Sequence, residues 1–110
     1  MSHVTMTGDQ LLRMLSALAN PHRLRIVAAL AGGRNYVSQL ARDMGMSRPL
    51  LHMHLQRLEA AGIVTGALEV SDAGKAMKYF EVTEFGMNLN PSLIAELAPT
   101  LSEESVKAKE

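Results

Sequence analysis

The side chains best suited to chemistry fall in two places: Arg48, His52, Gln56 and Arg57 in one stretch, Lys75 and Lys78 in another. All can donate hydrogen bonds, and none belongs to a pattern that breaks covalent bonds. Their natural acceptors are phosphate oxygens and the edges of nucleic-acid bases. Arg48 suits the two acceptors of a guanine, or a phosphate if its side chain swings outward. His52 and Gln56 can donate to either, and Leu50 and Met53 can touch thymine methyls.

Competing chemistries find little support. The chain has no cysteine, which removes disulfides, thiolate catalysis, iron–sulfur clusters and cysteine-based zinc sites together. His52 and His54 lie two apart, so on a helix they do not share a face and one metal ion cannot readily take both. The eight methionines read as soft core filler, because no Met-rich cluster recurs at ligand spacing. Gly74-Lys75 is not a phosphate-binding loop: Glu69 and Ala76 stand where glycine and Ser/Thr are required. There is no Gly-x-Ser-x-Gly, no His-Glu-x-x-His and no glycine-rich dinucleotide fingerprint. Neither catalysis, a metal nor a cofactor is expected.

Helices and a hairpin must position these groups, and the capping signals delimit them. Thr7-Gly-Asp-Gln10 has capping-box spacing, and Leu11, Leu12, Leu15, Leu18 and Ala19 follow at helical period, giving a first helix over about 8–19. Asn20-Pro21 opens a second helix that Gly32-Gly33 stops. A short third helix over about 36–44 ends at Gly45, and Ser47 caps a fourth that runs to Gly62. Two helices joined by Met44-Gly45-Met46-Ser47 form a helix-turn-helix pattern. With Leu51 set toward the core at 100° per residue, Leu55 and Leu58 fall beside it. Pro49, Met53, Gln56 and Ala60 then point outward, flanked by His52 and Arg57, with Leu50 on the Arg57 side. His54 falls near the core edge as a half-buried packing group.

After residue 62 the period changes from 3.6 to 2. Ile63 and Val64 begin a strand in which Leu68 and Val70 alternate with Ala67 and Glu69. Asp72-Ala-Gly74-Lys75 supplies a turn, and a return strand runs from about Ala76 to Val82, with Phe85, Met87 and Leu89 as an extension that Gly86 weakens. A hairpin directly after a helix-turn-helix is a wing. Asn90-Pro91 opens a fifth helix carrying Leu93, Ile94 and Leu97, which Pro99 ends or kinks. The fold class is therefore mainly α with a small β-hairpin, a winged helix-turn-helix. Residues 1–98 form one domain, and 99–110 are expected to be a flexible acidic tail.

The 110 residues make one domain, and 47% hydrophobic with 20% charged residues is an ordinary globular composition. The net charge of zero conceals an asymmetry. Residues 20–80 hold eight cations against four anions, whereas 81–110 hold six anions against two cations. A basic middle suits a phosphate-binding surface. The longest apolar run, residues 26–31, is far below the roughly 18–20 a membrane helix needs. With no leader pattern at the N-terminus, a soluble, cytoplasmic, nucleoid-associated protein is expected.

Leu18-Ala-Asn-Pro-His-Arg-Leu-Arg-Ile-Val27 resembles the second-helix entry of the ArsR family of winged-helix repressors, which typically reads Asp-Pro-Thr-Arg-Leu-Arg-Ile-Leu. Leu40-Ala-Arg-Asp-Met-Gly-Met-Ser47 and His54-Leu-Gln-Arg-Leu-Glu-Ala-Ala-Gly-Ile-Val64 match its helix-turn-helix in length and pattern. The resemblance covers roughly residues 10–82. It implies a homodimer on a near-palindromic double-stranded DNA operator, a repressor sense, and an inducer that weakens binding. Its recognition surface would comprise Ser47, Arg48, Pro49, Leu50, His52, Met53, Gln56 and Arg57, with Lys75 and Lys78 from the wing. The first and last helices would pair protomers through Leu11, Leu12, Leu15, Leu93, Ile94 and Leu97, more apolar surface than a small monomer easily covers.

Two departures matter. Tyr36 and Ser38 stand where metal-sensing members carry paired cysteines, and residues 90–110 contain no histidine for the family's other metal site. Where the family often reads Gln-Pro-Thr-Val-Ser-His-His-Leu, this chain has Arg48-Pro-Leu-Leu-His-Met-His-Leu55, so no known operator carries over. A small molecule held between the first and fifth helices is one effector reading left open. Two other functions also stay open at this point: a protein-interaction module using Leu50 and Met53, and a non-specific architectural DNA binder.

Overall fold

The computed structural model describes residues 6–108. Met1 to Thr5 of the expected domain, and Lys109 and Glu110 of the expected tail, lie outside the described residues. The helices begin and end where side-chain chemistry can satisfy their free backbone groups. Helix α1 (Gly8–Leu18) has the full capping box: Thr7 Oγ1 accepts from the Gln10 N–H at 3.1 Å, and Gln10 Oε1 accepts from the Thr7 N–H at 2.8 Å. Helix α2 (Pro21–Ala31) starts on Asn20, whose Oδ1 accepts from the N–H groups of His22 and Arg23. Helix α3 (Val37–Met44) is stopped by Gly45 in the left-handed region at φ 65°. Helix α4 (Arg48–Ala60) is capped by Ser47, and α5 (Pro91–Leu97) by Asn90.

The hairpin strands β2 (Val64–Val70) and β3 (Ala76–Val82) pair antiparallel, Leu68 opposite Lys78 and Val70 opposite Ala76. A two-residue strand, β1 (Asn35–Tyr36), adds to the other edge of β3, giving the sheet order β1-β3-β2. Phe80, in the middle of β3, turns its ring into the core over Gly66. A Cβ at position 66 would lie only 2.7 Å from Phe80 Cε1, so the strand crossing requires glycine there. The core gathers Met14, Ile26, Leu30, Leu40, Leu51, Leu55, Leu58, Ile63, Val64 and Phe80 from every layer. Burial of this apolar set, at roughly 25 cal/mol per Å², is the main term holding α4 and the hairpin to the helical body.

Several expectations change. The return strand stops at Val82 and does not extend through Phe85, Met87 and Leu89: the Thr83 N–H makes the last bond in register, to the Ile63 carbonyl at 2.9 Å, where the opposing chain has just left the turn after α4. The alternation over Ala67–Val70 does form a strand, with Leu68 and Val70 71% and 68% exposed because the wing extends beyond the helical body. The stretch expected to be a flexible acidic tail instead forms a 3-10 turn over Ala98–Thr100 and a helix, α6 (Glu103–Ala108). Contacts with α1 hold it: Thr100 Oγ1 accepts from the Gly8 N–H at 2.6 Å, and Asp9 Oδ1 accepts from the Ser102 N–H at 3.0 Å. The Ser102 N–H chiefly, with the hydroxyls of Ser102 and Ser105 assisting, holds the Asp9 carboxyl below its usual range.

Candidate nucleic-acid interface

The N-terminal half of α4 and the wing face each other across a shallow hollow of about 250 Å³. Arg48 and His52 line it from α4, Lys75 and Lys78 from the hairpin, Tyr36 from β1 and Ser38 from the first turn of α3. Cationic and hydrogen-bonding groups separated by 27 residues of sequence therefore border one concave surface. Its shape and donor set suit a polyanion lying across helix and wing.

Each element is fixed for a physical reason. Ser47 Oγ accepts from the Leu50 N–H at 3.3 Å, so this hydroxyl is engaged in capping α4. The inward stripe Leu51, His54, Leu55 and Leu58 is buried, which turns Met53 and Gln56 outward, with Pro49 and Leu50 also exposed. In the wing turn, the Lys75 N–H donates to Ser71 Oγ at 3.1 Å and the Ser71 N–H to the Lys75 carbonyl at 2.9 Å. Lys75 keeps an exposed side chain at the tip. Lys78 is less free, its Nζ lying 5.3 Å from the centre of the Phe80 ring.

Sequence reasoning missed the brace that orients the wing. Tyr36 Oη donates to Glu69 Oε1 at 2.6 Å, while Arg34 pairs with Glu69 Oε2 at 3.0 Å and stacks 4.2 Å over the Tyr79 ring. The Tyr36 hydrogen bond chiefly, with Arg34 assisting, holds the Glu69 carboxyl below its usual range, and the same bond raises the Tyr36 phenol. No local spacing announces this cluster, because it exists only in the β1–β3–β2 register.

Arg57 is separated from the others. It stands in the last turn of α4, nine residues or about 13 Å of helix rise beyond Arg48, and lines a different cleft with Arg13 and Arg23. His54 is buried, only 3% exposed, and not half-buried as the helical wheel suggested. Its Nδ1 lies 3.2 Å from Arg23 Nη1. Arginine can only donate, so Nδ1 accepts and the ring is neutral. Burial chiefly, then the charges of Arg23, His22 and Arg57, push the imidazole below its usual value. The folded protein thus binds fewer protons here than the unfolded chain. Stability is whole above the unfolded value near 6.5 and falls as pH drops below it. Thermal melting from about pH 7 to about pH 5 should show a falling Tm, with a shallower fall in His54→Gln. Equal slopes would contradict this account.

The expected dimer residues divide similarly. Leu11 and Leu97 are buried within the chain itself and Leu12 and Leu93 are half-buried. Leu15 and Ile94 are the exposed members, at 38% and 49%. They flank an apolar groove of about 160 Å³ between α1 and α5, floored by Leu11, Leu97 and Leu101.

A model of bacterial regulatory proteins of the arsR family matches residues 20–65. An HTH-type transcriptional regulator of Methanocaldococcus jannaschii is 31% identical over 85 residues, covering 77% of this chain and 88% of that protein. The chain belongs to the arsR family. The HTH-type transcriptional regulator CmtR of Mycobacterium bovis is 36% identical to this arsR-family protein over 74 residues, 67% of this chain and 59% of CmtR. A homodimeric winged helix-turn-helix DNA-binding domain from Mycobacterium bovis, solved in solution, matches with a TM-score of 0.61 at 24% identity. That likeness spans 98% of this chain and 92% of the solved one, and establishes the winged helix-turn-helix fold of this arsR-family protein. Among its described residues no helix is long and apolar enough to cross a membrane.

Proposed function

We propose that this arsR-family regulator is a sequence-specific, double-stranded DNA-binding repressor that acts as a homodimer on a near-palindromic operator. The observation that carries the reading is the single hollow bordered by Arg48, His52, Lys75 and Lys78. One α4 per protomer enters the major groove, the two copies reading half-sites roughly 34 Å apart. Arg48 reads a guanine or clamps a phosphate, His52 and Gln56 donate to base edges, and Leu50 and Met53 meet thymine methyls. Pro49 shapes the helix entry, and Ser47 fixes the first turn. Lys75, with Lys78 behind it, neutralises backbone phosphates and so positions the protein without reading sequence. The exposed Leu15 and Ile94 support pairing through α1 and α5, as does the homodimeric state of the Mycobacterium bovis domain.

The exposure of Leu50 and Met53 favours a second reading, a protein-interaction surface on the same scaffold. Salt separates the two. Affinity for DNA falls steeply with salt as counterions are released, whereas an apolar protein contact does not respond so. Lys75→Ala should weaken operator and unrelated DNA about equally and flatten the salt slope by about 1 per protomer. Fluorescence anisotropy across a salt series reads both. Loss confined to the operator would contradict the positioning role.

A further inference from the structure

A second cleft, of about 440 Å³, opens between α1, the C-terminal end of α4 and the start of α6. Three guanidinium groups from three helices line it: Arg13 from α1, Arg23 from α2 and Arg57 from α4. Among the described residues none of them pairs with a carboxylate, the one ion pair being Arg34–Glu69. Arg23 is preset, its Nε donating to the Ala17 carbonyl at 2.5 Å and its Nη1 to His54 Nδ1 at 3.2 Å. Two carboxylates also line the cleft, Asp9, which already accepts from the Ser102 N–H, and Glu104, so the three guanidinium groups outnumber the acids by one. The hydroxyl of Ser16 also faces the space. The excess of cations leaves the hollow positive, and an anion between the guanidinium groups offsets that charge while meeting donors already in place.

We propose that this cleft is an effector site for a small carboxylate- or phosphate-bearing metabolite. It is separate from the apolar α1–α5 groove, whose lining is carbon almost throughout. Its position gives the ligand two handles on the recognition helix. Arg57 belongs to α4 itself, and Arg23 holds His54, the one buried polar side chain on the inner face of α4. An anion that draws both guanidinium groups inward shifts α4 against α2, and with it the orientation of Arg48 toward the wing. The regulatory half of this inference rests on the DNA-binding reading above; the binding half stands without it.

The protein without DNA is titrated with citrate and, separately, with pyrophosphate, at ionic strength matched with sodium chloride. Arginine Nε–Hε NMR signals are followed. We expect saturable shifts of the Arg23 and Arg57 signals with an apparent Kd at or below about 1 mM. Saturation with citrate alone assigns a carboxylate ligand, and with pyrophosphate alone a phosphate. Arg13→Gln changes an exposed side chain outside the hollow between α4 and the wing. It should raise the Kd at least about tenfold while leaving DNA affinity without anion unchanged. Shifts that stay linear with both anions, or a Kd unaltered by Arg13→Gln, overturn the site. Saturable binding with no change in operator affinity overturns its regulatory role. A protein that retains no DNA counts against the DNA-binding reading alone, because the titration contains none.

Discussion

Replacing Ile94 with aspartate is expected to leave a folded monomer that binds operator DNA on the order of 10²–10⁴-fold more weakly. Ile94 is half exposed in the single chain, so a carboxylate there remains hydrated and the domain keeps its core. Pairing through the α1–α5 groove would strip that water, and a buried charge without a partner costs several kcal/mol. Once the dimer is lost, the second half-site no longer lies within the effective concentration that the first contact creates. Sedimentation velocity reads the mass and anisotropy the affinity. A variant that remains dimeric would move the interface elsewhere, and a monomer with undiminished operator affinity would remove dimerisation from the mechanism.

Phe80→Ala should lower stability by about 3–5 kcal/mol, the usual cost of an aromatic cavity in a packed core. For a domain of this size that is a Tm drop on the order of 15–25 °C. Phe80 is nearly fully buried and ties the sheet to the helical core: its strand pairs with both β1 and β2, and its ring covers Gly66. Gly66, directly against the ring, has no side chain that could relax into the vacated space. Calorimetric unfolding checks the size of the loss. A change of less than about 1 kcal/mol would mean that the wing is not anchored through this ring.

Most of the architecture was legible because its signals are local. Thr7 with Gln10, Asn20-Pro21, Ser47 and Asn90-Pro91 each place a hydrogen-bond acceptor where a helix start needs one, and all four act as caps in the structure. Gly45 adopts the left-handed conformation its place in the turn implied. What failed depended on distant partners. A two-residue strand such as Asn35–Tyr36 has no period to detect and exists only beside β3. Alternation identified β2 as a strand but not which face would be covered, and Leu68 and Val70 stand exposed on the wing. The end of the chain did carry a signal that went unread. Ser102 Oγ accepts from the Ser105 N–H at 3.1 Å, and Glu103 and Glu104 fill the first turn, a sound helix start. Its docking needed Asp9, 93 residues away.

The same distinction holds for the candidate site. The helical wheel separated inward from outward positions of α4 correctly except for the depth of His54, which Arg23 sets from another helix. The wheel could not show that Arg57 leaves the group containing Arg48, because distance along the axis, not angle, separates them. Nor could it show that the Glu69 brace with Tyr36 and Arg34 orients the wing.

Sequence-specific recognition through α4 is tested most directly by selecting bound fragments from the source genome, with the parent protein and Arg48→Ala in parallel. We expect the parent to recover one short near-palindrome, and Arg48→Ala to weaken it by about 1–3 kcal/mol while relaxing the base preference at one position in each half-site. Recovery of DNA with no shared sequence, by a salt-sensitive route, would replace the regulator with an architectural binder. No retention at low salt would contradict DNA binding altogether.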